Sequence, residues 1–160
     1  MAATAVAVAA CAQTQESPLK EKVESYAVVE VTSPLYDALS ENDKKIVALF
    51  RQAGEIMDGL FWKQTFGDKT EMEALTDEYA KAYAMINYGP WDHLDNNAPF
   101  VEGYGEKPLG CQYYPHDMTM EEWNAFDDPD KLNLYTVVRR DENGALKTVW
   151  YRDEYKEELD

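Results

Sequence analysis

Cysteine, histidine and positive charge are all scarce in this chain. Its 160 residues include two cysteines and two histidines. Cys11 and Cys111 cannot form the set of several disulfides that holds a small secreted domain together. There are 15 lysines and arginines against 31 aspartates and glutamates, which gives a net charge of −16. Because binding to phosphate backbones depends on positive side chains, this balance argues against nucleic acid as a partner.

Long apolar runs are also missing. No segment approaches the roughly 20 apolar residues that a membrane span requires. Residues 2–10 are small and apolar, and they lead through Val-Ala-Ala to Cys11, a sequence typical of a bacterial lipoprotein cleavage site. A complete signal would have lysine or arginine before the apolar run, and none precedes it here. We therefore predict that residues 1–11 are a truncated lipoprotein signal, the alternative being an Ala-rich tail with no role.

This N-terminal pattern bears on where the protein resides. Cys11 would be the site of lipidation, and the polar residues 12–25 would be a tether to the folded body. The protein would then lie in the bacterial cell envelope and face the periplasm. Without a working signal it would be cytoplasmic.

The rest of the chain has the composition of one globular domain, with 45% hydrophobic and 12% aromatic residues. Ser40 and the acidic residues after it predict the start of a helix over residues 41–66, with apolar positions spaced three and four apart. A second helix is predicted over residues 70–86. We expect the apolar stripes of both helices to face the core.

Short strands are predicted later in the chain. Two β-rich segments flank Asn143-Gly144, a strong signal for a hairpin. Residues 110–114 are predicted as a short strand, and residues 26–31 as a short strand or an extended segment. A brief capped helix is expected from Thr119 to Phe126, and a last helical pattern near the end. The fold class is therefore α+β, with two long N-terminal helices and a small antiparallel sheet.

An irregular stretch, residues 86–119, lies between these elements. Long loops in compact domains are usually functional, and its aromatic residues argue against disorder. It contains Asn87-Tyr88-Gly89-Pro90-Trp91-Asp92, Pro99-Phe100-Val101-Glu102-Gly103, Lys107-Pro108 and Tyr114-Pro115-x-Asp117-Met118-Thr119. These motifs resemble the N-terminal part of bacterial dipeptidyl-peptidase III, a zinc metallopeptidase of family M49. The similarity extends more weakly over most of the chain.

The resemblance implies that residues 26–160 are part of the N-terminal lobe of a larger two-lobed enzyme. The peptide substrate would lie between this lobe and a C-terminal catalytic lobe that carries the zinc ion. This chain would then supply a wall of the substrate cleft and be inactive alone. The excess of acidic residues is either a solvated surface or a means of attracting cationic peptide N-termini.

The resemblance also implies which residues would contact the peptide. A strand of the N-terminal lobe receives the substrate by edge pairing in this family, a mode that uses main-chain hydrogen bonds. Here the strand would be the segment 110–114, which departs from the family pattern at Cys111-Gln112-Tyr113. The substrate-binding residues implied by the resemblance are Gly110, Gln112, Tyr113 and Tyr114, supported by Asn87, Tyr88 and Trp91.

The chemistry of the family is not visible in these residues. A catalytic zinc site needs about three protein ligands close together, and the family's zinc motif begins with His-Glu, a pair that this sequence does not contain. His93 and His116 are interpreted as surface or hydrogen-bonding residues, and neither a catalytic nor a metal residue is predicted. A cysteine hydrolase using Cys111 is a weaker alternative.

One alternative of another class remains, a self-contained lipoprotein that binds a ligand or peptide and does no chemistry. The two hypotheses differ in a property that a structure can show. Part of a larger lobe should expose a large apolar patch on the long helix or beside the hairpin, where the missing elements would pack. A self-contained domain should have no such patch.

Overall fold

The computed structural model describes residues 17–160. Its first half is helical, and a short irregular region with small antiparallel sheets follows. The helices of the first half are α1 (Lys20–Glu24), α2 (Pro34–Asp37), α3 (Glu41–Thr65), α4 (Lys69–Glu73) and α5 (Glu78–Asn87). In these residues, no helix combines the length and the apolar character needed to cross a membrane.

The long helix α3 forms as predicted. The Ser40 hydroxyl accepts a hydrogen bond from the N–H of Asp43 at 3.2 Å, which caps the first turn. At 1.5 Å per residue, its 25 residues span roughly 37 Å. The helix ends at Phe66, and Gly67 follows with a φ of 125°, a backbone conformation that residues with a Cβ rarely adopt.

The second predicted helix, over residues 70–86, is instead two shorter helices, α4 and α5. Asp77 causes the break, because its carboxylate accepts hydrogen bonds from the N–H groups of Tyr79 and Ala80 at 2.9 and 3.2 Å. Aspartate competes for backbone donors in this way at a helix start. The α5 helix ends at Tyr88, which adopts the left-handed conformation with a φ of 52°.

The second half contains two separate two-stranded antiparallel sheets. In the first, β1 (Trp91–Asp92) pairs with β2 (Ala98–Pro99). The second is the predicted hairpin, in which β3 (Thr136–Arg140) pairs with β4 (Leu146–Trp150). Gly144 has a φ of 84° in the turn between these strands. The α+β class is confirmed.

The remaining helices are short. The predicted helix after Thr119 forms as α6 (Met120–Ala125), with a full capping box between Thr119 and Glu122. The last helical pattern forms α7 (Tyr151–Glu154) and α8 (Lys156–Leu159) directly after the hairpin.

The prediction of a strand over residues 110–114 is wrong. Residues Cys111–Tyr113 form a single 3-10 turn, in which the N–H of Tyr113 donates to the carbonyl of Gly110 at 2.9 Å. Gly110 and Cys111 have φ angles of 76° and 50°, and two successive left-handed residues cannot continue a strand. The segment 26–31, predicted as a short strand or an extended segment, forms no strand, which leaves the second alternative.

The core lies where the C-terminal end of α3 meets α4, α5 and β1. Its largest buried cluster contains Trp62, Phe66, Met72, Ala84 and Trp91. Aromatic rings contact one another edge to face within it, as Phe66 and Trp91 do at 5.8 Å between ring centroids. Such pairs add about 0.5–1.5 kcal/mol beyond the area they bury.

The N-terminal helix α1 is attached to this core, although its residues fall in the segment predicted as a tether. Leu19 is buried in a second cluster with Ala80 and Tyr83. The Lys22 ammonium forms an ion pair with Asp92, which is 2% exposed. Burial alone would raise the pKa of Asp92, but hydrogen bonds from Lys22 and Tyr83 lower that pKa below its ordinary value. The carboxylate therefore stays ionised at neutral pH.

The apolar stripe of α3, predicted to face the core, is largely exposed among the described residues. Only Leu60 and Trp62, near the end of the helix, are buried. Seven large apolar side chains of α3 are between 43 and 73% exposed, one of them Val47. The other six share one face of the helix, and we call them the α3 stripe: Ile46, Leu49, Phe50, Ile56, Met57 and Phe61. This is the exposed patch expected of part of a larger lobe.

Candidate functional site

A cavity of about 520 Å³ lies beside the 3-10 turn. It is open to solvent and is lined by the C-terminal end of α3, the turn itself, the hairpin and the helices α7 and α8. Two of the predicted substrate-binding residues line it, Gln112 and Tyr114. The cavity is therefore the candidate site that the structure builds around the predicted segment.

The turn is held against α3 by its side chains. The Gln112 amide donates from Nε2 to the carbonyl of Phe66 at 2.6 Å, which satisfies a free carbonyl at the end of the helix. The Tyr113 hydroxyl donates to Oε1 of Gln64 at 3.1 Å. These bonds fix the position of the turn, so the cavity wall is set by the same residues that end α3.

Tyr114 is positioned from the other side. Its ring packs edge to face on Trp123 of α6, with 5.5 Å between centroids. A Cβ built on Gly110 would come within 2.4 Å of the Tyr114 ring, far closer than real contacts allow. Glycine at 110 therefore allows the aromatic wall of the cavity to lie where it does.

Basic side chains from the hairpin and α3 give the cavity its polar lining. Arg139 donates from Nε to Oε1 of Glu154 at 2.7 Å and from its guanidinium to the carbonyl of Gln112 at 3.0 Å. Lys63 forms an ion pair with Glu158. Each positive group is therefore matched by a carboxylate, which leaves the lining polar without a strong field of one sign.

Arg140 connects the cavity to α6. Its guanidinium donates two hydrogen bonds to Glu122, at 3.0 and 3.1 Å, and its Nε–H is shared between the two carboxylate oxygens of Asp117. The hydrogen bonds from Arg140, together with the N–H of Thr119, lower the pKa of Glu122 to about 2. The same contacts raise the pKa of Arg140. This network joins α6, the loop before it and β3.

Sequence reasoning missed the two arginines. Arg139-Arg140 is a pair of adjacent positive residues at the end of a predicted strand, within an acidic chain. Alternation along β3 sends their side chains to opposite faces, so Arg139 reaches the 3-10 turn while Arg140 reaches α6. In the sequence, the signal that could have identified them is two adjacent arginines in a chain rich in acidic residues.

The other predicted site residues lie elsewhere. Gly110 lines a neighbouring cavity of about 710 Å³ together with Cys111. Asn87 is buried, where it donates to the carbonyl of Tyr83 and accepts from the N–H of His93, both at 3.0 Å. A role for Asn87 in supporting the site remains a prediction.

Tyr88 and Trp91 also lie in or against the core rather than in the cavity. The Tyr88 hydroxyl donates to Asp58 of α3 at 2.5 Å, and this bond and burial raise its pKa. Trp91 donates from Nε1 to the carbonyl of Gly105 at 2.9 Å. Both residues fix the long loop to the helices, and contact with a substrate remains a prediction for them.

The groups considered for chemistry are not assembled into a reactive set. The His93 ring lies 3.0 Å from the ammonium of Lys107, and burial and then Lys107 lower the pKa of this histidine. Cys111 is a free thiol that is partly buried. Within residues 17–160, no three or more His, Cys, Asp or Glu side chains are grouped to hold a metal ion. These residues do not fit a zinc site, and no catalytic step is assigned to them.

The chain is similar to several known proteins. No family model matches the sequence. Among curated proteins, Nudix hydrolase 3 of Arabidopsis thaliana is 29% identical over 165 residues, covering 76% of this chain and 21% of the plant protein.

Two solved bacterial structures match somewhat more of the molecule. Dipeptidyl-peptidase III from Caldithrix abyssi is 30% identical with a TM-score of 0.77. Dipeptidyl-peptidase III from Corallococcus sp. strain EGB is 29% identical with a TM-score of 0.79. Each match covers 88% of this chain and 29% of the solved chain.

Both matches are to peptidases. The fold of this chain is therefore that of part of a peptidase, a partial lobe built from helices and small antiparallel sheets. Both solved structures are of dipeptidyl-peptidase III, so the resemblance of this chain to part of that enzyme is confirmed. The chain spans less than a third of the length of these enzymes.

Proposed function

We propose that this chain is the N-terminal, substrate-cleft part of a zinc-dependent exopeptidase similar to dipeptidyl-peptidase III. The observation that carries the proposal is the match of 88% of the chain to two such enzymes at TM-scores of 0.77 and 0.79. The complete enzyme would release dipeptides from peptide N-termini. The zinc ion and the residues that bind it would belong to polypeptide outside the matched part.

The cavity beside the 3-10 turn is the surface proposed to face the peptide. The turn offers no row of free backbone N–H and C=O groups, so the strand-edge pairing expected for residues 110–114 does not fit it. Contacts with the peptide would come instead from side chains, with the Tyr114 ring as an apolar wall. The backbone carbonyl of Gln112 already accepts a hydrogen bond from Arg139. The polar lining suits a peptide, which is polar along its backbone.

The proposal is tested first on the chain alone. Zinc content after dialysis and hydrolysis of a dipeptidyl arylamide should both be at background, because the described residues offer no cluster of metal ligands. Tightly bound stoichiometric zinc, or turnover at ordinary enzyme rates, would overturn the proposal. Tight binding of a small ligand without any turnover would instead favour the self-contained binding protein.

A chimera supplies the complementary test. This chain would replace the matched 29% of the Corallococcus enzyme, with the rest of that enzyme unchanged. We expect the chimera to bind zinc and to hydrolyse the arylamide. The matched control is the Corallococcus enzyme with the same segment deleted, which should be inactive. A folded, zinc-loaded chimera without activity would argue against a cleft role for this chain.

A further inference from the structure

The α3 stripe is the largest feature that the cavity does not explain. From residue 41 to 59 nearly every side chain of α3 is exposed, so this part of the helix projects from the core. Most helical stability in proteins comes from packing of an apolar face, and the described residues leave this face of α3 largely uncovered. Phe50 is 73% and Leu49 63% exposed, which is unusual for large apolar side chains on one helix face.

The spacing of the stripe indicates what kind of surface would cover it. Apolar residues recur at positions 46, 50, 53, 57 and 60, alternating four and three apart, which is the seam along which two helices pack. Leu49 and Ile56 widen this seam on one side. Gly54 lies about 40° around the helix from Phe50 and has open space around the position of a Cβ, so a neighbour can approach closely there.

We propose that the α3 stripe is the docking surface for a helix of the polypeptide that completes the enzyme, a proposal that rests on the proposed function. The solved relatives support this occupant, because 71% of each of those chains (100 minus 29) lies outside the match. The segment around α2 would form one edge of the surface, since Tyr36 and Val47 line an apolar groove next to the stripe.

Charge argues against a second copy of this chain as the occupant. Each chain carries a net charge of −16, and a large net charge of one sign opposes self-association through mutual repulsion. The α3 helix itself carries four acidic and four basic side chains, so the helix that covers it is defined by its apolar face.

The test uses two polypeptides, this chain and the Corallococcus enzyme without its matched segment. Their association is measured by isothermal titration calorimetry, with the substitution Phe50→Glu in the stripe and Gln52→Glu as the matched control. Both add one negative charge, but residue 52 lies about 160° away around the helix. We expect Phe50→Glu to weaken binding by roughly 30-fold or more, the effect of losing a central apolar contact, and Gln52→Glu to change it less than about two-fold.

Equal effects of the two substitutions would overturn the proposal. If the separate enzyme remainder does not fold, hydrogen exchange of residues 46–61 is compared between this chain alone and the chimera. Slower exchange in the chimera supports docking, and unchanged exchange refutes it. Concentration-dependent self-association that Phe50→Glu abolishes would identify a second copy as the occupant and also refute the proposal.

The two proposals fail in different ways. Protected α3 amides in an inactive chimera would leave the docking surface standing and remove the cleft role. An active chimera in which Phe50→Glu changes neither exchange nor stability would support the cleft role and refute the docking surface.

Discussion

Replacing Gly110 by alanine should displace the aromatic wall of the cavity, at a cost that the structure allows us to divide into two parts. The first part is the backbone. Gly110 has a φ of 76°, and holding a residue with a Cβ in the left-handed region costs roughly 1–2 kcal/mol. The second part is the contact with Tyr114, whose ring would lie 2.4 Å from the new Cβ. Forcing a packed side chain to move costs about 1–3 kcal/mol.

A matched control separates the two parts. Gly144 has a similar φ of 84°, but nothing lies within 4 Å of a Cβ placed there. Gly144→Ala should therefore lower the free energy of unfolding by the backbone cost alone, roughly 1–2 kcal/mol. Gly110→Ala should lower it by a further 1–3 kcal/mol or so, because Tyr114 must also move.

The assay is urea unfolding of both variants and the parent chain, followed by circular dichroism, with tryptophan fluorescence as a second measurement. Tyr114 packs on Trp123, so its displacement should change the emission of the folded Gly110→Ala protein but not that of Gly144→Ala. Equal unfolding free energies for the two variants, with the same emission as the parent, would show that Gly110 does not position Tyr114.

Two further predictions concern the core and the acid limit of stability. Met72→Ala should lower the free energy of unfolding by about 2–5 kcal/mol, because Met72 is fully buried, whereas Leu109→Ala, at a side chain that is 98% exposed, should change it by less than about 0.5 kcal/mol in the same urea titration. Hydrogen bonds from Arg140 lower the pKa of Glu122 from 4.5 to about 2, so their stabilisation is complete above pH 4.5 and disappears as the pH falls towards 2. The difference in urea midpoint between the parent and Glu122→Gln should therefore shrink over that interval, and a difference that is constant from pH 6 to 2 would contradict this assignment.

Local signals in the sequence were reliable where the structure they predict is closed by nearby residues. The Ser40 cap, the capping box at Thr119 and the Asn-Gly turn each satisfy backbone groups within a few positions, so α3, α6 and the hairpin were predicted close to their observed bounds. The break at Asp77 is equally local, but the apolar period continued through it and favoured one helix. A capping residue had more effect here than the periodicity.

Features that depend on distant residues could not be predicted. Residues 110–114 have the composition of a strand, yet Gln112 and Tyr113 bind the end of α3 and hold the segment as a turn. The cavity likewise needs Arg139 from the hairpin, which no local pattern connects to the turn. The stripe of α3 shows the same limit, since periodicity identifies an apolar face but not the molecule that covers it.

The attachment of α1 has a consequence for how the protein responds to cleavage. Leu19 is buried and Lys22 is paired with Asp92, whereas Val28, Val29 and Val31 are 76 to 100% exposed. A protease would therefore cut between residues 27 and 32 before it reached the helices on either side. The severed N-terminal piece would stay on the body through its noncovalent contacts, so the nicked protein would elute from gel filtration as one particle and separate only in denaturant.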